Sequence, residues 1–184
     1  MKVPPHYPRQ CERCARTRDG IEYFIRPIVP DDLQRELAFV RTLSEESRYH
    51  RLMYVVHEPT EALLAPLVNV DYERSMALVA LFRAANEEQI IGVARYARDD
   101  EGTGYEFAVA VADEWQGRGI GSRLLEELFE YGRTRGLRRL YGRVLNDNMR
   151  MLSLARALGL TITQSSDDPH VAVATFEISA PDSS

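Results

Sequence analysis

The sequence predicts a mixed α/β domain in which a central, mostly antiparallel sheet carries helices on both faces, in the order β-α-α-α-β-β-β-α-β-α-β. Three observations predict it. The segments Ser75 to Arg83, Gln89 to Arg98 and Tyr105 to Ala112 have strand character and are joined by connections short enough for antiparallel hairpins. From Gly119 the apolar residues recur at helical spacing. Beyond that point strand-type and helix-type segments alternate, so helices cover a single layer of sheet.

Each element has a local reason. Asp19-Gly20 is a turn signal, and Ile21 to Arg26 reads as a strand that ends at Pro27. Pro30-Asp31-Asp32 supplies an N-cap and first-turn acids for a helix that turns Leu33, Leu37, Phe39 and Val40 inward. A second short helix runs from Ser44 to Arg51, and Pro59-Thr60-Glu61 opens a third with Leu63, Leu64, Leu67 and Val68 apolar. Asn86 to Glu88 and Asp99 to Gly104 separate the meander strands. The long helix after Gly119 presents Leu124, Leu125, Leu128 and Phe129 on one face, and Gly136 stands as its C-terminal cap. Arg138 to Leu145 is a strand, Asn148 to Leu158 a helix closed by Gly159, and Val171 to Ile178 the last strand.

At 184 residues the chain fits about one domain with a short appendage. The expected organisation is a flexible N-terminal appendage over residues 1–20, a domain over 21–179, and a disordered tail over 180–184. With 45% hydrophobic and 28% charged residues the chain can bury a core without disulfides or metal. No uncharged run approaches the ~18 residues of a membrane span, and the first ten residues lack the apolar stretch of a secretory signal, so a cytoplasmic protein is expected. The net charge of −5 argues against a general nucleic-acid binder. All but one of the 23 basic residues are arginine, Lys2 being the exception. Codon bias explains this, as would a lysine-modifying enzyme that avoids offering its own lysines.

Cys11 and Cys14 are the only cysteines, spaced Cys-x-x-Cys after His6. A zinc site needs about four ligands and this segment offers three, so no metal is expected. The residues after Cys14 lack the helix that a thioredoxin-like motif requires. The readings are a mobile tail, then an intermolecular zinc or disulfide, then redox catalysis. His50 and His57 read as surface or helix-end residues, with no third ligand at a metal-like spacing.

The chemistry concentrates in Gln116-Gly117-Arg118-Gly119-Ile120-Gly121-Ser122. Alternating glycines let the backbone turn tightly and approach a ligand, and the next helix's first N–H groups point at whatever lies there. Such a loop binds anions, and Arg118 and Arg123 strengthen the preference for phosphate. From Gln116 to Arg150 there are eight arginines against four acids in an otherwise acidic chain. A P-loop requires a lysine that is missing here. A Rossmann fingerprint fails because Ser122 replaces the third glycine and the preceding strands form an antiparallel meander.

Gln116 to Gly121 after a strand resembles the Q/R-x-x-G-x-G/A pyrophosphate loop of the GNAT superfamily of acetyl-CoA-dependent N-acyltransferases. The segment from Asn148 to Gly159-Leu160 is similar to that superfamily's N-x-x-A-x-x-L-Y-x-K-x-G-F helix, departing at Met151, Ala155 and Leu160. The resemblance spans about residues 21 to 178. Ser47-Arg48-Tyr49, Val70 to Ala80 and Glu106 to Val109 look more narrowly like the acetyltransferase domain of bacterial protein-lysine acetyltransferases of the Pat type. The resemblance implies the GNAT fold, acetyl-CoA as co-substrate, and a protein lysine acceptor, such as one on an acyl-CoA synthetase. A small amine acceptor and a non-catalytic acetyl-CoA sensor are the alternatives, and self-association into a homodimer is allowed for.

The resemblance also implies roles. Glu106 falls where the Pat-type general base lies. Alternation independently places it on one face with Ala108, Ala110 and Ala112, whose small side chains leave room for a thioester. The alternative is a strand-edge glutamate facing water. Val109, Ala110 and Val111 would bond the pantetheine arm and the oxyanion through their main chain. Gln116, Gly117, Arg118, Gly119, Ile120, Gly121 and Ser122 would hold the pyrophosphate. Asn148 would bond pantetheine or simply cap its helix. Ala155 stands where many members carry a tyrosine acid, with Ser153 and Tyr141 near enough to be considered. Asp71, Tyr72 and Glu73 would line an acceptor groove or be solvated, and Trp115 packs under the loop.

Overall fold

A computed structural model describes residues 4–52, 58–84, 87–99, 101, 102 and 104–178. The meander is its centre: β3 (Ser75–Ala84), β4 (Glu87–Arg98) and β5 (Tyr105–Val111) pair antiparallel in sequence order. Before them, β2 (Glu22–Pro27) pairs with β3, and after them β6 (Arg139–Leu145) and β8 (Val171–Glu177) continue the sheet. With β1 (Arg13–Arg16) and β7 (Thr161–Gln164) at the edges, the order is β1-β2-β3-β4-β5-β6-β8-β7. Only β5 and β6 run parallel, and their register holds at one position, Glu106 opposite Tyr141. Beyond it the two strands part, and this opening positions the site.

Helices cover both faces, as predicted. On one face lie α1 (Leu33–Thr42) and α3 (Glu61–Val68), reached from β4 by the buried Arg95, which bonds Glu36 at 2.7 Å and the Leu67 carbonyl at 2.9 Å. The opposite face carries α4 (Ile120–Thr134), with Leu124, Leu125 and Leu128 fully buried, and α5 (Met149–Ala157). Phe129 of α4 stacks on Phe176 with centroids 4.5 Å apart and meets Phe107 edge-on at 5.1 Å. Gly142 of β6 allows this, since a Cβ there would sit 2.8 Å from the Phe107 ring. A short helix, α2 (Glu45–Leu52), forms one wall of the cleft described below. Among the described residues no helix is long and apolar enough to cross a membrane.

Residues 4 to 20 correct the expectation of an appendage. Four residues of β1 pair with β2, Tyr7 and Cys11 are buried, and Arg13 reaches the buried Glu127 of α4 at 2.6 Å. This segment therefore extends the sheet and is clamped to the long helix. β7, too short to stand out after Gly159, is the other strand the sequence does not announce. The predicted tail at 180–184 lies outside the described residues, as does His57.

Cys11 and Cys14 are both free thiols, one buried and one exposed. Burial pushes the Cys11 thiol up to about 11, so it is protonated at neutral pH and a poor nucleophile. At pH near ~8 a disulfide reagent is expected to titrate Cys14 quickly and Cys11 only after denaturation. Rapid labelling of both in the native protein would contradict this packing.

Candidate active site

The parting of β5 and β6 opens a cleft of about 2050 Å³. Its walls are β5 from Glu106 to Val111, β6 from Tyr141 to Leu145, the glycine loop, α2, and the start of α5. The Ala112 N–H bonds the Ile91 carbonyl at 3.0 Å, which fixes the antiparallel alternation. Even-numbered β5 residues then direct their main chain to β4, and Phe107, Val109 and Val111 direct theirs toward β6. Past the Glu106–Tyr141 pair β6 no longer answers, so the Val109 and Val111 backbones face the cleft. Ala110 differs from the expectation: its main chain belongs to the ladder with Val93, and it lines the cleft only as a small side chain.

The glycine loop follows the turn at Asp113–Trp115. Gly117 and Gly119 have φ of +76° and +90°, a region in which a side chain is strained, so the loop needs glycine at both. The first backbone bond of α4 is the Arg123 N–H to the Gly119 carbonyl at 3.1 Å. The N–H groups of Ile120, Gly121 and Ser122 have no helical acceptor, and all three residues line the cleft. Ile120 itself is buried, with its side chain under Gly92. Gly121 sits against Val109, Val111 and Leu154, which brings α4 close to β5.

Two predicted ligands serve as braces. The Gln116 side-chain amide donates to the Val111 carbonyl at 3.1 Å and to Ser47 Oγ at 3.3 Å, and its oxygen accepts from Arg150. It thereby ties β5, α2 and α5 together. Asp113 completes the junction, accepting from the Ser44 N–H at 2.9 Å and Ser47 Oγ at 2.7 Å. Arg118 points away from the cleft: its guanidinium lies 5.1 Å above the Trp115 ring and pairs with Asp19 at 3.0 Å. Arg123 likewise pairs with Glu127 at 2.7 Å. The expected phosphate-facing pair is thus turned toward the N-terminal hairpin. Trp115 is buried beneath the loop as expected, packed on Phe82. Asn148 caps α5, its Oδ1 accepting from the Met151 N–H at 3.0 Å, while the residue also lines the cleft.

The opposite end of the cleft is acidic. Glu106 is exposed there, beside Tyr141, whose hydroxyl donates to Asp99 at 3.2 Å. Burial, reinforced by the charges of Glu106 and Asp99, pushes the Tyr141 hydroxyl up to about 12. The Tyr141 hydroxyl proton is thus engaged by Asp99 rather than offered to the cleft. Ala155 is fully buried, whereas Ser153 lines the cleft. His50 of α2 lies 3.3 Å from Asp147 across the mouth. Asp71 and Tyr72 are not in the cleft. The Asp71 carboxylate accepts the N–H groups of Glu73, Arg74 and Ser75, and Tyr72 is buried with its hydroxyl on the Ile28 carbonyl at 2.7 Å.

Residues 39–160 match the model of the acetyltransferase (GNAT) family. The chain belongs to this family. It is 36% identical over 150 residues to Acetyltransferase PA5475 of Pseudomonas aeruginosa, covering 82% of this chain and 81% of that protein. It is 37% identical over 146 residues to Acetyltransferase Pat of Mycolicibacterium smegmatis, of which it spans 43%. The crystal structure of the GNAT domain of S. lividans PAT superposes with a TM-score of 0.84 at 29% identity, covering 94% of this chain and 99% of that one. The chain is therefore an acetyltransferase domain of the N-acyltransferase class. Its GNAT fold agrees with the predicted one.

Proposed function

We propose that this chain transfers the acetyl group of acetyl-CoA to the ε-amine of protein lysines, with Glu106 as the general base. The observation that carries the reading is the arrangement along β5: an exposed carboxylate at one end of an open strand edge and, at the other, a glycine loop whose first helical N–H groups have no helical acceptor. Glu106 and Val111 are five residue steps apart, about 17 Å of extended strand. That span matches the arm joining the thioester of coenzyme A to its pyrophosphate, so the residues present fit the co-substrate.

In this reading the loop N–H groups of Ile120 to Ser122 hold the pyrophosphate, with Gly117 and Gly119 shaping the approach. Gln116 and Arg118 act indirectly, by fixing the loop. The Val109 and Val111 backbones bond the pantetheine arm and the oxyanion, Ala110 leaves space beside them, and Asn148 adds its side-chain amide. The acceptor arrives at the acidic end as an ammonium. Glu106 takes its proton, the free amine attacks the thioester carbon, and the C–S bond breaks to release the thiolate. A thiolate leaves without a fixed acid, and solvent supplies its proton. Tyr49 and Met149, exposed apolar side chains on opposite walls of the cleft, suit contact with a folded acceptor. The resemblance to Pat-type domains points to the same acceptor class.

The test is thiol release from acetyl-CoA with acyl-CoA synthetases and polyamines side by side. Turnover with the protein supports the reading. Turnover confined to polyamines reassigns the acceptor, and binding without turnover on either would favour the sensor.

A further inference from the structure

We infer that Arg18, carried by the turn between β1 and β2, binds the ribose 3′-phosphate of coenzyme A, which makes the N-terminal hairpin part of the co-substrate site. The inference rests on acetyl-CoA occupying the cleft. The hairpin is fastened directly to the glycine loop. The Arg18 N–H bonds the Arg118 carbonyl at 3.0 Å, and the Asp19 carboxylate holds the Arg118 guanidinium. Thr17 braces the turn, its N–H on the Ile21 carbonyl at 2.9 Å. The Arg18 side chain lies over Gly119, filling the space in which a Cβ would meet its Cγ at 3.5 Å and its Nε at 3.6 Å.

Next to the loop is a second hollow of about 450 Å³ whose lining includes Arg16, Arg18, Arg118 and Arg123, with Glu126 as its one acidic side chain. Arg18 and Ser122 border both this hollow and the main cleft. The four arginines are not equivalent. Arg16 pairs with Glu22, Arg118 with Asp19 and Arg123 with Glu127. Among the described residues the Arg18 guanidinium pairs with no carboxylate. It is thus the exposed cation left uncompensated at the rim. A ligand whose pyrophosphate sits on the loop N–H groups carries one more phosphate beyond it, on the adenosine ribose. That dianion is the part of coenzyme A able to reach past the loop, and a guanidinium fork matches its geometry.

The experiment is calorimetric titration of the full chain with coenzyme A and with dephospho-coenzyme A, which lacks only the 3′-phosphate. Wild type, Arg18→Gln and Arg18→Lys are compared. Wild type is expected to prefer coenzyme A by roughly tenfold or more, the worth of one charge-assisted contact. Arg18→Gln removes the preference and leaves dephospho-coenzyme A binding unchanged, and Arg18→Lys retains part of it. Equal weakening toward both ligands, or an undiminished preference in Arg18→Gln, would overturn the inference while leaving the co-substrate assignment intact. If wild type bound neither ligand, the assignment and the inference would fail together. No acceptor is present, so the outcome is independent of the lysine reading.

Discussion

Glu106→Gln is expected to lower kcat for acetyl transfer by about 10²-fold or more, with acetyl-CoA binding near wild type. The size follows from the acceptor. A lysine amine with a pKa near ~10.4 is neutral in only about one molecule in 10³ at pH 7.5, and a carboxylate that removes its proton within the complex offsets that scarcity. Glutamine keeps the shape and loses the base. The deficit is therefore expected to shrink as pH rises toward ~10, where solution supplies the free amine. A pH–rate comparison of the two proteins reads this directly. A merely structural role for Glu106 would give a loss that does not depend on pH.

Asp32→Ala is expected to cost about 3–5 kcal/mol of stability, a large share of the ~5–15 kcal/mol of an ordinary domain. Asp32 is completely buried and accepts a bidentate pair of bonds from Arg26, both 2.7 Å, together with the Val29 N–H at 2.9 Å. Arg26 is 4% exposed, so truncating its partner leaves a charge that water cannot reach. Arg35, the second guanidinium on this carboxylate, is more open to solvent and tolerates the loss. Thermal unfolding is expected to drop by roughly 10 °C. Replacing Arg26 and Asp32 together by apolar residues of similar volume is expected to recover much of it, because breaking a buried pair costs more than removing it. Burial pushes the Asp32 carboxyl up, but the bonds and charge of Arg26 outweigh burial and hold it below the usual carboxylate range. A depressed folded pKa means that this stabilisation is complete above the unfolded value near ~3.9 and fades as pH falls through the lower folded one. The gap between wild type and Asp32→Ala is thus expected to stay constant above about pH 5 and to narrow below about pH 4. A gap that persists into acid would contradict the assignment.

How much was legible in the sequence depended on whether the signal was local. The meander, the long helix and the glycine loop rest on alternation, period and turn residues within a few positions of one another, and the structure has them near the expected bounds. β1 carries no alternating pattern in Arg-Cys-Ala-Arg. Its place in the sheet depends on pairing with β2 and on Glu127, which lies 114 residues away from Arg13. The same distinction divides the candidate site. Strand alternation put Glu106 and the alanines on one face, and helix-start logic marked the N–H groups of the loop. The direction of Arg118 could not be read, because Asp19 turns it and 99 residues separate the two. The motif marks Gln116 as a ligand by residue type alone, whereas its bonds to Ser47 and Arg150 exist only in the folded chain.

Lysine acetylation that depends on Glu106 is tested by the mass of an acyl-CoA synthetase after incubation with acetyl-CoA and either wild type or Glu106→Gln. An acetyl adduct that maps to a lysine side chain is expected to form with wild type and to be nearly absent with the variant over the same interval. Wild type that consumes acetyl-CoA with polyamines yet leaves every lysine of the synthetase unmodified would contradict it, as would a variant that modifies the protein at the wild-type rate.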